Sequence, residues 1–390
     1  MASFADRYRE AGSLEDAVRI FGEAAECFRG RIERTRSKAA DVYAGVTPEG
    51  PYVEFGAHYF EVEPRKARPW EDTPNKAHLA GSLWHCILNL EMLPRYDYVP
   101  SVGLPDLGGS GFVASLFGTE YINLGANGIK ITRHAIGDMS EVGRLRQPDV
   151  GRDGRFKRSA ECAGFIAESL GDALGDTVEI TYPQLQGPST NALRVVPEEA
   201  GLMAVKEDPR RMESLALMVT GVMADFIKGL FAAAGGPDRF RPRARFLAPP
   251  RVKGLMVDDW ISVVDPDDFK QCFSSSYGMM RREVGPLFLH TCGPTLQIAD
   301  LMGGLAGLEG FETAFIKGTS KTYGMLAEMK GAIGGRYTFC SFGMPDGSLM
   351  EGEEKVAPDQ IRRLSEGGRM MFQAYGDPRY AVKLAAELGL

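Results

Sequence analysis

Apolar residues in the first part of the chain recur at helical spacing. Leu14, Ala17, Val18, Phe21, Ala24 and Ala25 form one stripe, with Glu and Arg between them, so an amphipathic helical start is expected. Residues 52–62 alternate apolar and polar positions around Gly56 and predict a strand or extended chain. Residues 77–93 read as a helix that Pro94 stops. Residues 97–117 are rich in Gly and Pro, a loop leading into a short helix, and 148–157 read as a polar linker.

Beyond that point the pattern becomes regular. Helices are predicted over 159–174, 209–234, 267–283, 296–308, 323–333, 358–366 and 381–390. Between them, β-branched and apolar runs at 177–182, 252–257, 286–292, 311–316, 337–342 and 370–375 predict strands. Strand and helix alternate, which favours right-handed βα units around a parallel sheet. No Gly-x-Gly-x-x-Gly or Walker pattern follows any of these strands, which argues against an open nucleotide-binding sheet. The expected fold is therefore α/β, a TIM-type (β/α)8 barrel over 76–390 with a helical N-terminal extension over 1–75. Chemistry is expected at the carboxyl ends of the strands.

Composition adds exclusions rather than identity. With 390 residues, 44% of them hydrophobic and 25% charged, the chain can bury a large core and is no disulfide or zinc miniprotein. Its 45 basic against 52 acidic residues give a net charge of -7, the wrong sign for a general nucleic-acid binder. The six cysteines are scattered, unlike a secreted disulfide framework. No signal-peptide pattern opens the chain, and no apolar run is read as approaching the roughly 20 residues of a membrane span. A reduced, cytoplasmic setting follows, with no membrane or nucleic-acid partner.

The strongest chemical signal is Pro286-Leu-Phe-Leu-His-Thr-Cys-Gly293. In a strand, His290 and Cys292 project to the same face, where an imidazole and a thiolate can chelate one zinc ion. Cys340, in Tyr337-Thr-Phe-Cys-Ser-Phe-Gly343, lies at a strand end two βα units later and is the candidate third ligand. Three protein ligands with one open position are the pattern of catalytic zinc. A buried polar pair at a barrel end is the competing reading of His290 and Cys292. Cys27, Cys86, Cys162 and Cys272 fall in helical stretches and read as packing thiols.

Asp258 and Asp259 end a predicted strand, and one of them is expected to face the site. There it could hold a metal-binding His or move a proton; a helix cap or solvated loop explains the pair equally well. Gln184, Gln186 and Asn191 cluster after the strand at Tyr182, as binders of polar substrate groups or as turn stabilisers. Tyr375 and His58 are weaker candidates still, an aromatic at a barrel mouth being more often a packing residue.

These residues carry a resemblance to a known family. The run His290-Thr-Cys-Gly293, between a strand and an amphipathic helix, resembles the uroporphyrinogen decarboxylase superfamily, and within it the zinc-dependent corrinoid methyltransferases. Tyr96-Asp-Tyr-Val-Pro100, Phe117-Gly-Thr-Glu120, Leu185-Gln-Gly-Pro-Ser-Thr-Asn-Ala192 and Val257-Asp-Asp-Trp260 are similar to that family in order and spacing. Two departures stand out. The Arg-Gln-Ala-Gly-Arg element of the porphyrin decarboxylases is absent. The last predicted strand, Met370-Met-Phe-Gln-Ala-Tyr375, lacks the Cys that serves as third zinc ligand in the coenzyme M methyltransferases.

The resemblance implies a methyltransferase that moves a methyl group between a small substrate and a corrinoid. The substrate would be a methyl ether, amine or thiol, or a thiol or folate acceptor, with O-demethylation among the cases. Zinc would act as Lewis acid or lower the pKa of an acceptor thiol. The cobalamin-binding signature Asp-x-His-x-x-Gly is absent, so the corrinoid would sit on a separate partner protein. Two rival readings stand beside this one: a metal-free decarboxylase or lyase using Asp259, and a non-catalytic barrel subunit of a corrinoid complex. The extension is expected to cover the barrel mouth, and a homodimer is compatible with everything above.

Overall fold

A computed structural model describes residues 2–55, 67–92, 96–124, 128–241, 247–291, 301, 305, 307–313, 323–332, 338–344, 358–374 and 385–390. The chain opens with three helices, α1 (Phe4–Arg9), α2 (Leu14–Cys27) and α3 (Arg29–Ala44). The Ser3 and Ser13 side chains cap the first two by accepting from Asp6 N and Asp16 N. The apolar stripe of α2, from Leu14 to Ala25, is buried on the side packed against α4 (Pro74–Met92). Between them, β1 (Val53–Phe55) is part of the large sheet described below. Residues before 75 thus supply a strand as well as helices.

Over the described residues the rest of the chain keeps the predicted alternation, with unforeseen helices at Pro188–Val195 and Glu198–Glu207 and unforeseen short strands at Ser101–Gly103 and Phe240–Arg241. The predicted helix at 296–308 lies almost wholly outside the described residues. Next come β2 (Ser101–Gly103), α5 (Phe112–Leu116), and a hairpin of β3 (Glu120–Asn123) and β4 (Ile129–Arg133). They are followed by α6 (Gly154–Leu170), α7 (Ala173–Asp176), β5 (Glu179–Thr181), α8 (Pro188–Val195), α9 (Glu198–Glu207) and α10 (Pro209–Ala233). Then come β6 (Phe240–Arg241), β7 (Gly254–Val257), α11 (Pro266–Glu283), β8 (Leu287–Thr291) and β9 (Leu308–Thr313). Last are α12 (Tyr323–Ala332), β10 (Thr338–Met344), α13 (Pro358–Ser365) and β11 (Met370–Ala374).

Six strands form one parallel sheet in the order β1-β11-β10-β9-β8-β7, and three form a second in the order β2-β5-β6. The expected closed barrel is therefore resolved only as a mixed α/β fold with two parallel sheets; no closed sheet forms among the described residues. Two isolated parallel bridges lie outside these ladders, Glu54 with Asp97 ahead of β2 and Gln186, after β5, with Val257. The hairpin β3–β4 is an antiparallel addition that the sequence reading did not foresee.

Helix α3 lies against the amino ends of the strands. Its Arg31 donates to the Tyr96 and Leu90 carbonyls, and its Lys38 pairs with Asp97 at 3.0 Å. Arg36 reaches Gly175 O and Glu179, and Val42 O accepts from Arg369 N at 2.8 Å. These contacts precede or open β2, β5 and β11. Helix α3 therefore closes the face opposite the strands' carboxyl ends; residues 56–66 of the extension, which follow β1, lie outside the described residues. Burial pulls the Arg31 guanidinium down to about 10, and its carbonyl partners compensate.

Helix α10 is long and apolar enough to cross a membrane by length and composition, contrary to the reading that no such run exists. Its most apolar stretch is 67% buried within the protein, and it packs on α6, α8 and α11. That is the pattern of a core helix. Of the four cysteines expected to pack, Cys86, Cys162 and Cys272 are buried, whereas Cys27 at the end of α2 is exposed.

Candidate functional site

One lateral row of the parallel ladders organises the site. Gln186 bridges Val257, Val257 is in register with His290, His290 with Glu312, Glu312 with Cys340, and Cys340 with Met371. Residues in register on parallel strands share a face, because side chains alternate with period two. His290 and Glu312 demonstrate this directly: His290 Nδ1 lies 2.8 Å from Glu312 Oε1. Both are buried, Glu312 completely. Leu255 and Phe288, in register with each other and two residues nearer the amino ends, form a dry apolar layer on that face.

A carboxylate fixed on Nδ1 sets the imidazole tautomer and makes Nε2 the ring nitrogen that would carry a metal. This carboxylate–histidine unit fits a zinc ligand with its supporting partner. Among the described residues no group of three His, Cys, Asp or Glu side chains is placed to hold a metal ion. Cys292 lies outside the described residues, and Cys340 is placed by its backbone, directly opposite Glu312 in the ladder. Of the three predicted ligands, only His290 has a described side chain; the backbone of Cys340 lies two strands away in the same row. Glu312 was not anticipated. The available signal was a carboxylate inside the run Leu308-Glu-Gly-Phe-Glu-Thr313, where a strand between two parallel neighbours is normally apolar.

Asp258 occupies the opposite face of the sheet. Its carboxylate accepts from Ser189 Oγ, from Thr190 N at 3.0 Å, from Thr190 Oγ1 at 3.2 Å and from Tyr277 Oη at 3.1 Å. It caps the first turn of α8 from a neighbouring strand, and its negative charge suits that helix end. Burial raises the Asp258 carboxyl, and these hydrogen bonds work against that rise. Gly187 makes the approach possible. A Cβ there would stand 2.5 Å from Asp258 Cγ and 2.8 Å from its Oδ1. The Asp258 side chain therefore faces away from the His290 ring, although the Asp258 N–H donates to the His290 carbonyl at 2.8 Å.

Asp259, the next residue, is half-buried, and its N–H donates to Thr190 Oγ1 at 3.2 Å. Nearby Arg194 is pulled down by burial, while the charges of Asp259 and Asp258 act in the opposite direction. Gln184 is exposed at the strand end, whereas Gln186 is buried in the row of His290. Asn191 holds the turn between β5 and α8, donating to the Gln186 and Gly187 carbonyls. Tyr375 and His58 lie outside the described residues.

A second carboxyl was also missed. Glu54 on β1 is in register with Gln373, two residues beyond Met371 of the His290 row. Its Oε1 accepts from Tyr52 Oη at 2.6 Å and from Leu247 N at 3.0 Å. Burial pushes the Glu54 carboxyl up to about 8; the Tyr52 and Leu247 bonds oppose this, and the charges of Asp97 and Glu312 reinforce it.

No protein-family model matches the chain, and no curated protein matches its sequence. Among solved structures, a β-mannanase from a symbiotic protist of the termite Reticulitermes speratus aligns over 63% of this chain and 68% of its own, at 15% identity. Its TM-score of 0.33 is too low to carry an argument. A methyltransferase from Methanosarcina mazei aligns over 91% of this chain and 98% of its own, with a TM-score of 0.59 and 18% identity. The likeness is one of fold, and it extends over nearly the whole length of both chains.

Proposed function

We propose that this protein is a zinc-dependent methyltransferase of the uroporphyrinogen decarboxylase superfamily, exchanging a methyl group between a small substrate and a corrinoid carried by a separate protein. The observation that carries the reading is the buried His290–Glu312 pair, 2.8 Å apart at the carboxyl end of a parallel strand. Supporting it are the Cys at 292, the register of Cys340, and a full-length fold likeness to a methyltransferase. We read the two sheets as a single (β/α)8 barrel. The bridges at Glu54–Asp97 and Gln186–Val257 are the seams of that barrel, and its eight staves are β1, β2, β5, β7, β8, β9, β10 and β11. A cytoplasmic location goes with this reading.

In this account His290 Nε2, Cys292 and Cys340 would hold zinc. When bound, the metal would supply Lewis acidity toward the heteroatom that gives up or takes the methyl group. Glu312 keeps the proton of His290 on Nδ1 and fixes the ring plane. Leu255, Phe288 and Met371 exclude water from the floor of the site. Asp259 is the group that takes or returns the substrate's proton at the strand end. Methyl transfer can be followed by the change in corrinoid absorbance, with methylcobalamin and a thiol, or Co(I) cobalamin and a methyl donor. Turnover by the wild type that is lost in His290→Ala supports the proposal; equal turnover by both contradicts it.

A further inference from the structure

We infer that Gln186 accepts a hydrogen bond from the bound small molecule, so that the site selects methylated compounds bearing an N–H or O–H group over analogues without one. The inference rests on the proposed function in one respect, that the ligand carries a methyl group. Gln186 is only 8% exposed, and its Oε1 has no hydrogen-bond partner among the described residues. Buried amide oxygens are nearly always satisfied, and an unsatisfied one costs about 1–3 kcal/mol. Such an acceptor calls for a donor from outside the chain.

Its position says where that donor sits. Gln186 bridges Val257, which is in register with His290, so all three share a face. The neighbour Gly187 lies against Asp258 on the other face, which independently fixes the direction of Gln186. Two strand spacings, about 10 Å, separate the backbones of Gln186 and His290. A molecule of a few heavy atoms can touch both side chains from that distance. Other buried unpartnered atoms, such as Asn191 Oδ1 and Ser276 Oγ, lie on helices rather than in this row.

A site built to receive a donor discriminates strongly against the analogue lacking it, since the acceptor then stays buried and unpaired. Two matched pairs isolate that donor. Trimethylammonium has one N–H and tetramethylammonium none; 2-methoxyphenol has an O–H that 1,2-dimethoxybenzene lacks. Binding to the full-length protein is measured by calorimetry, with zinc content determined in parallel. The donor-bearing member of at least one pair is expected to bind about tenfold or more tightly. Gln186→Met should bring that ratio close to one without changing zinc content. Gln186→Glu, which retains an acceptor oxygen, should preserve the preference for trimethylammonium and serves as the check on folding. Equal affinities in the wild type, a preference that survives in Gln186→Met, or no binding by either pair would overturn the inference. A Gln186-dependent preference, together with equal turnover by wild type and His290→Ala in the methyl-transfer assay, would leave the inference standing and remove the proposed function.

Discussion

Glu54 offers a quantitative test of the electrostatics around the site. The unfolded chain ionises this residue near its ordinary value of 4.5, whereas the folded protein keeps it protonated up to about 8. Because the folded pKa is the higher one, the native state binds a proton that the unfolded state has released. The stabilising contribution is complete below pH 4.5 and disappears as pH rises through 8. Within that window each pH unit removes about 1.4 kcal/mol, which gives an upper limit of roughly 5 kcal/mol. Glu54 retains some contact with solvent, so about 2–3 kcal/mol is the realistic span. Glu54→Gln keeps the acceptor for Tyr52 and Leu247 but cannot ionise. Urea unfolding at pH 5, 6, 7 and 8 should show the wild type losing stability relative to the variant by that amount. Titrating groups that do not interact with Glu54 cancel in the comparison. Parallel pH profiles for the two proteins would refute the assignment of a protonated Glu54.

Further predictions address the strand ends. Gly187→Ala should destabilise the protein by about 2–4 kcal/mol in urea unfolding, because its Cβ would displace Asp258 from the α8 cap; a loss below 0.5 kcal/mol would mean that Asp258 does not depend on that close approach. Glu312→Gln should weaken zinc binding by about 10–100-fold in a chelator competition, with the far-ultraviolet circular dichroism preserved. Unchanged affinity would remove Glu312 from the support of His290.

Much of this architecture was legible because its physical causes are local. The helix of α11 announces itself through Asp265, Pro266 and an acidic first turn, and α10 through its long apolar face. The strand bearing His290 is bounded by Gly285 and Gly293 and was placed within a residue of its observed limits. What escaped the sequence depends on contacts between distant segments. The caps on α8 come from Asp258, roughly seventy residues away, so neither the helix start nor the role of that carboxylate was visible locally. Glu312 and Glu54 are acids in short strands, and only the ladder register reveals that they share the face of His290. The position of α3 is likewise set by long-range bonds of Arg31, Arg36 and Lys38, which no periodicity encodes.

The proposal stands or falls on His290 as a metal ligand whose ring is held by Glu312. Metal analysis of the purified protein reads this out. One zinc per chain is expected in the wild type, lost in His290→Ala with the fold retained. A wild-type protein that carries no zinc after zinc supplementation, or a His290→Ala variant that binds it as tightly as the wild type, would overturn the assignment.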